Sequence, residues 1–281
     1  MYPRLYILGL KIYSWNACLF LSFIITISAA VILRPKEFPI KRMQIFGVAV
    51  LFFLFGFLGA KLLHIMLYAS RYRGLGPITV LSKSGTAFLG APLLGFFVIW
   101  IFCRSTSTPF LVLADYAAPL LMLSRVVERF GCLMEGCCYG ISSNLPWAYA
   151  FRGKIPQHPT QAYALICALA IFLSSRYLYK KVESFHGITF FYVILSYSTL
   201  RFFTEFLRQE GPFAYAWLKV SHIALFILAA IAIAGMYIII NKSPAKDAII
   251  KVLNATFKRL ILWLAFSGAV MLLILSFIPK R

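Results

Sequence analysis

The sequence predicts an all-α protein that crosses a membrane several times. Of its 281 residues, 62% are hydrophobic, the mean hydropathy is +0.86 and only 13% are charged. Soluble domains carry about 25% charged residues, so this chain has too little polar surface to enclose its apolar side chains in water. Runs of roughly 20 apolar residues, the length a helix needs to cross a bilayer core about 30 Å thick, recur from end to end. Barrel strands alternate in polarity, whereas these runs are apolar on all sides, and this favours helices.

Eight spans are expected, at about Tyr13–Leu33, Gln44–Tyr68, Gly85–Cys103, Phe110–Leu123, Gln161–Leu178, Ile188–Leu207, Trp217–Ile240 and Leu260–Ile278. The first is too long for a signal-peptide core, lacks a small-residue cleavage site and ends in "RPKEFPIKR", so it is expected to stay as a span. The fourth is short and leads into "ERFGCLMEGCCYG". Between the fourth and fifth spans lies the longest polar insertion, residues 124–160, in which Pro146, Gly153, Pro156 and Pro159 interrupt any long helix. Its aromatic content argues against disorder, so it is read as a folded extracytoplasmic cap. The remaining connections are short, giving one membrane domain over 1–281 with an additional C-terminal span in 257–281.

Net charge is +20, from 28 Lys and Arg against 8 Asp and Glu. The basic residues punctuate the apolar runs, which points to anionic lipid headgroups and not to nucleic acid. "RPKEFPIKR" and "KSPAKDAIIKVLNATFKR" suit the cytoplasm, which places both termini outside, yet the basic stretch from Arg125 to Lys154 would then also lie outside. In that topology Arg71–Lys83 and Arg208–Pro212 are external as well.

Ionisable residues inside apolar sequence are costly, so they pair, and many mark a site. Arg201 and Glu205 are four residues apart, on one helix face, with Arg208 about a turn further on. They are either a neutralising pair at a span end or an anion-binding arginine held by its carboxylate. Arg129 follows the fourth span, and Asp115 lies among apolar residues within it. Arginines converging from separate spans suit a phosphate, because the planar guanidinium makes two parallel hydrogen bonds and stays charged when desolvated. In a membrane that phosphate belongs to a phospholipid.

Three of the six cysteines, Cys132, Cys137 and Cys138, crowd the loop. Packing within the loop is the first reading, a disulfide from Cys132 to a later cysteine the second. A metal site with His158 as a fourth ligand is the third, since the spacing lacks the paired cysteines of structural zinc sites. No metal or cofactor is expected. Cys18, Cys103 and Cys167 read as packing residues, and His64 and His186 as headgroup-level residues at span edges.

The blocks "GAKLLHIML", "SGTAFLGAPLLG", "DYAAPLLMLSRVVERFGCLMEGCCYG", "HPTQAYA", "GITFFYVILSYSTLRFFTEFLR" and "LKVSHIAL", in that order, resemble the bacterial prolipoprotein diacylglyceryl transferases over about Lys11–Gly235. The resemblance implies a multi-pass enzyme of the bacterial cytoplasmic membrane. Such an enzyme moves the diacylglyceryl unit of phosphatidylglycerol to the cysteine thiol of a secreted prolipoprotein signal peptide and releases glycerol phosphate. It places Arg129, Arg201 and Glu205 at catalytic positions and Gly90, Gly131, Gly136 and Gly140 at the family's glycines, and these glycines with Arg208, Tyr139 and Tyr197 are expected at the substrate. His158 of "HPTQ" is either a general base or a structural hydrogen-bonding group. Departures from the better-known members are Glu128 for a glycine, Leu89 for His or Tyr, Cys132 for Asn, Cys137 for Glu and His222 for Gln; a branch with a "GCCYG" loop is similar to this chain. A non-enzymatic, redox or metal-binding protein on the same scaffold is the alternative, which the loss of His or Tyr at Leu89 favours and the presence of Arg129, Arg201 and Glu205 disfavours.

Overall fold

A computed structural model describes residues 4–7, 10–69, 74, 76, 90–150, 155–182, 186–209, 213–215 and 218–277. Among these, eight helices form, one near each expected span: α1 (Ser14–Ile32), α2 (Arg42–Leu67), α3 (Gly90–Thr106), α4 (Phe110–Glu135), α5 (Thr160–Lys181), α6 (Ile188–Phe206), α7 (Val220–Lys242) and α8 (Lys246–Phe277). Five of them, α1, α2, α4, α5 and α7, are long and apolar enough to cross a membrane. The apolar stretch Leu94–Thr106 in α3 is shorter. Within lipid a helix satisfies its own backbone groups, so a long apolar run has no other open structure available. Two short antiparallel hairpins accompany the helices, β1 (Arg4–Ile7) with β2 (Leu10–Tyr13) and β3 (Phe213–Tyr215) with β4 (Leu218–Lys219). In the first, Arg4 lies opposite Tyr13 and Ile7 opposite Leu10.

Two compact units divide the chain, residues 27–113 and residues 1–26 with 114–281. In the first, α2 packs along α3, and Arg34 holds the turn after α1 by donating to the carbonyls of Ile40 and Phe38, each at 2.7 Å.

The second unit has its core where α5, α6 and α8 meet, built from Ile171, Leu178, Ile188, Tyr192, Ile249 and Leu253. The Tyr192 hydroxyl donates to Ser174 Oγ at 2.9 Å, so its polar end is satisfied inside the bundle. By contrast α7 exposes Ile223, Phe226, Ile227, Ile231, Ile233 and Tyr237, a face suited only to lipid. Asp115 of α4 accepts from the backbone N–H of Gly187 and of Phe190, and so caps the start of α6. That contact explains an aspartate in the midst of apolar sequence, because a carboxylate among unpaired helix N–H groups is satisfied where a free one is not.

The fourth span departs from expectation. It does not end at Leu123 but continues as α4 through Glu135. Hydropathy drops at Ser124, Arg125, Glu128 and Arg129, yet the helix persists because these groups pair with one another and with other helices. Its last residue, Glu135, accepts from the backbone N–H of Trp15 at 3.0 Å and places a carboxylate at the start of α1.

Candidate functional site

On α4, Arg125, Glu128, Arg129 and Cys132 lie at i, i+3, i+4 and i+7 and share one helix face. On α6, Tyr197, Arg201 and Glu205 recur every fourth residue and do the same. Arg125 and Arg129 of the first stripe and Tyr197 and Arg201 of the second meet over the small residues Ala164, Cys167 and Ala168 of α5, and with Leu200 and Thr204 they line one cleft of about 320 Å³, its open mouth included. Small side chains on α5 leave that space.

Polar contacts order the cleft unevenly. Arg125 is tied on both sides, to Glu128 at 2.6 Å and to the Tyr197 hydroxyl at 3.3 Å. Arg201 is held by Glu205 at 2.6 Å, and Arg208 approaches the same carboxylate at 3.7 Å. Arg129 is looser: Glu128 is 3.7 Å away, Cys132 Sγ 4.0 Å, and the buried Nε has no hydrogen-bond partner among the described residues. An unsatisfied buried donor costs about 1–3 kcal/mol, so an acceptor reaching Arg129 would recover that cost. Four arginines against two carboxylates leave two positive charges in excess. Such an arrangement has the charge and the donors to take up an anion.

Beyond the cleft the chain folds back as the cap. Gly136 and Cys137 N–H groups both donate to the Cys132 carbonyl and close α4. Gly140 then pairs with Arg208, and hydrogen bonds from Ile141 to Leu207 and between Ile141 and His158 lock the loop onto the end of α6. A methyl group at Gly140 would meet the Leu207 carbonyl, His158 and Thr160, so only glycine allows this approach. Gly131 serves a similar contact with α1, where a methyl group would lie 2.6 Å from Cys18 Cβ. Tyr139 sits half-buried between the cysteines and Gly140.

The end of α6 is closed by Lys219, whose ammonium donates to the carbonyls of Glu205 and Arg208 at 3.1 and 2.6 Å. His222 accepts from the Lys219 N–H at 3.0 Å and packs against Phe202 and Phe206, which makes it a cap for the start of α7. Burial holds the Lys219 ammonium below the usual lysine range.

The fold therefore brings Arg129, Arg201 and Tyr197 to one cleft, with Glu205 and Arg208 at its end. It does not bring His158 there: Nδ1 is 3.3 Å from the Tyr163 hydroxyl, which accepts from Trp147 at 2.8 Å. Nor is His158 grouped with the thiols, as the fourth-ligand reading required. Gly90 opens α3 in the other unit, while Leu89 and most of Arg71–Lys83 lie outside the described residues. Two participants were missed by the sequence reading. Arg125 falls in the loop when hydropathy ends the span at Leu123, although its i, i+3, i+4 spacing to Glu128 and Arg129 is visible in the sequence. Lys219 has no local sequence signal, since its partners are main-chain carbonyls.

Cys132, Cys137 and Cys138 converge, with all three sulfurs within 4.8 Å of one another. Hydrogen bonds from the neighbouring thiols, then Arg129 and Arg208, pull the Cys138 thiol well below the usual thiol range, while the same thiol contacts push Cys137 up.

Comparison with known proteins decides the family. The sequence profile described as prolipoprotein diacylglyceryl transferase matches residues 3–271. The chain belongs to that family. It is 30% identical over 232 residues to the phosphatidylglycerol–prolipoprotein diacylglyceryl transferase of Finegoldia magna, covering 82% of this chain and 91% of the relative. The enzyme of that name from Clostridium tetani is 30% identical over 239 residues, 81% of this chain and 94% of the relative. A third, from Dehalococcoides mccartyi, is 27% identical over 256 residues, 88% and 96% of the two chains. The prolipoprotein diacylglyceryl transferase profile thus extends across both compact units and into α8.

Proposed function

We propose that this protein transfers the diacylglyceryl group of a phospholipid of the phosphatidylglycerol class to a cysteine thiol of a secreted lipoprotein precursor, releasing glycerol phosphate. The observation that carries this reading is Arg129, its Nε buried and unpartnered among the described residues, facing the same cleft as Arg201 from a different helix. Family membership supplies the reaction class, and the arginine cleft supplies the means.

In this reading Arg129 and Arg201 hold the phosphodiester, and Arg125 and Tyr197 complete the cleft wall. As the bond from the glyceryl carbon to the phosphate oxygen breaks, negative charge grows on the leaving phosphate, and guanidinium groups fixed in a largely desolvated site stabilise it. Glu205 orients Arg201 and Arg208, which leaves Arg129 the group with most capacity to spare for the ligand. Gly131 and Gly140 act through close approach, Gly136 turns the chain at the end of α4, and Tyr139 borders the site from the loop. Gly90 is assigned a substrate contact on the strength of the family resemblance. His158 has a hydrogen-bonded chain to Tyr163 and Trp147, which supports a positioning role in the cap over that of general base.

The finer architecture belongs to the same proposal: one membrane domain over residues 1–281, seven family-like spans, an added C-terminal span in 257–281, and the cap within 124–160 on the outer face of the bacterial inner membrane. The "GCCYG" loop marks a branch of the family. Expression in cells depleted of their own transferase, with mass spectrometry of a reporter lipoprotein, tests the function. A reporter that gains a diacylglyceryl group supports it, and a folded, membrane-inserted protein that leaves the reporter unmodified refutes it.

A further inference from the structure

The three thiols of the "GCCYG" region are unused by the arginine cleft, and their arrangement is not a by-product of sequence proximity. Cys132 lies on the last turn of α4, whereas Cys137 and Cys138 follow the helix end. The chain returns the later two to the first by entering the left-handed region twice, at Gly136 (φ 70°) and Cys138 (φ 59°). A non-glycine residue there costs roughly 1–2 kcal/mol, and such strain persists where the surroundings impose it, most often at functional sites. The surroundings here are explicit. Thr160 Oγ1 donates to the Cys138 carbonyl at 2.6 Å, Gln161 donates to the Cys137 carbonyl, and the Cys137 N–H donates to the Cys132 carbonyl at 3.2 Å. These bonds fix the main chain, the Cys137 thiol donates only a long bond of 3.8 Å to the Cys132 carbonyl, and the three sulfurs converge, all within 4.8 Å. No fourth His, Cys, Asp or Glu joins the group among the described residues.

We propose that Cys132, Cys137 and Cys138 bind one thiophilic divalent cation of the zinc class as thiolates, and that its fourth position takes a thiol from outside the chain. Zinc–sulfur bonds of about 2.3 Å in a tetrahedron set the sulfurs about 3.8 Å apart, so small side-chain rotations suffice. Three soft donors select a cation that prefers sulfur over the hard cations that prefer oxygen. Three protein ligands with a fourth position open is the pattern of catalytic zinc, whereas structural zinc is closed by four. Three thiolates and a divalent ion sum to one negative charge. Arg129 Nη1, 4.0 Å from Cys132 Sγ, and Arg208, whose backbone pairs with Gly140, supply the balancing positive field.

Arg129 also lines the cleft, so the cluster and the phosphate receptor share a residue. What the fourth ligand does rests on the transferase reading. An acceptor thiol loses its proton to water on binding the cation. Its sulfur then forms the bond to the glyceryl carbon while the carbon–oxygen bond to phosphate breaks, and the electron pair leaves with glycerol phosphate. No electron is gained or lost overall.

The full chain, purified in detergent, reduced and stripped with a chelator, is titrated with Zn(II) and with Co(II). One equivalent of either is expected. Co(II) should show sulfur-to-metal charge transfer and tetrahedral visible bands that shift with a peptide carrying one cysteine and not with its serine counterpart. Zinc should protect the native thiols from alkylation until chelator is added, a test that needs no variant. Thr160→Val, which frees the Cys138 carbonyl, should weaken binding by about tenfold, as loss of an outer contact does. Four results overturn the site: no stoichiometric uptake, uptake retained by the Cys132→Ser/Cys137→Ser/Cys138→Ser variant, alkylation rates indifferent to zinc, or a disulfide in the isolated protein with no uptake after reduction. A cobalt spectrum unmoved by the cysteine peptide overturns the open position. Metal and thiol binding are both read without lipid transfer, so a chain that passes them yet modifies no reporter refutes the transferase reading and leaves the metal site standing.

Discussion

Replacing Arg129 by lysine keeps the charge and removes the fork, and the structure sets the size of the effect. Among the described residues Arg129 makes only long contacts, 3.7 Å to Glu128 and 4.0 Å to Cys132 Sγ, and its Nε makes none. Its interaction energy is therefore free for the ligand. Charge-assisted hydrogen bonds contribute about 1.5–3 kcal/mol each, and a fixed donor removed from a developing oxyanion costs about 10²–10³ in rate. Arg129→Lys should lower kcat/KM by about 10²-fold, because an ammonium keeps the charge but not the second parallel bond, and Arg129→Ala by about 10³-fold. Folding should be nearly untouched, in contrast to Glu205→Ala. That change breaks an ion pair whose side chains are 15% and 3% exposed, at a cost of about 3–5 kcal/mol. The assay is transfer of labelled diacylglyceryl from phosphatidylglycerol vesicles to a cysteine peptide, run beside apparent melting temperatures in detergent. Arg129→Lys turning over at the native rate, or Arg129→Ala melting as early as Glu205→Ala, would refute the division of labour between the two arginines.

Gly140→Ala should release the cap from the end of α6 and cost about 1–3 kcal/mol by overpacking, seen as faster proteolysis of residues 141–158; unchanged cleavage would mean that the loop does not approach Leu207 so closely. Asp115→Ala should cost about 0.5–2 kcal/mol through loss of the α6 cap, or more given its burial, read as a lower apparent melting temperature that Arg129 variants do not show. In a background with its own cysteines replaced, an impermeant thiol reagent applied to spheroplasts should label Ser142→Cys in the cap. It should miss Lys246→Cys, at the start of α8, until the membrane is opened. The reverse pattern would place the cap in the cytoplasm, away from any secreted acceptor.

Much of the fold was legible because lipid leaves the backbone few options. Each apolar run became a helix, and even the polar α6, with Arg201 and Glu205 a turn apart, kept its expected limits to within a residue. The error at α4 has a physical cause: hydropathy measures the cost of Arg125, Glu128 and Arg129 in lipid but is blind to partners that remove that cost. Asp115 was equally opaque, since its reason is the start of α6, 72 residues further on.

By itself the sequence determined the class of the protein, the positions of its helices and the chemical kinds of residue present, because these depend on local composition and on spacing along one helix. The tertiary structure alone decided which charges meet. It set Arg129 and Arg201 across one cleft, turned His158 toward Tyr163, and closed three thiols separated by an irregular spacing into one cluster. Those outcomes depend on contacts between distant segments, on small residues such as Ala164, Ala168 and Gly140 that let backbones approach, and on main-chain bonds that no side-chain pattern announces.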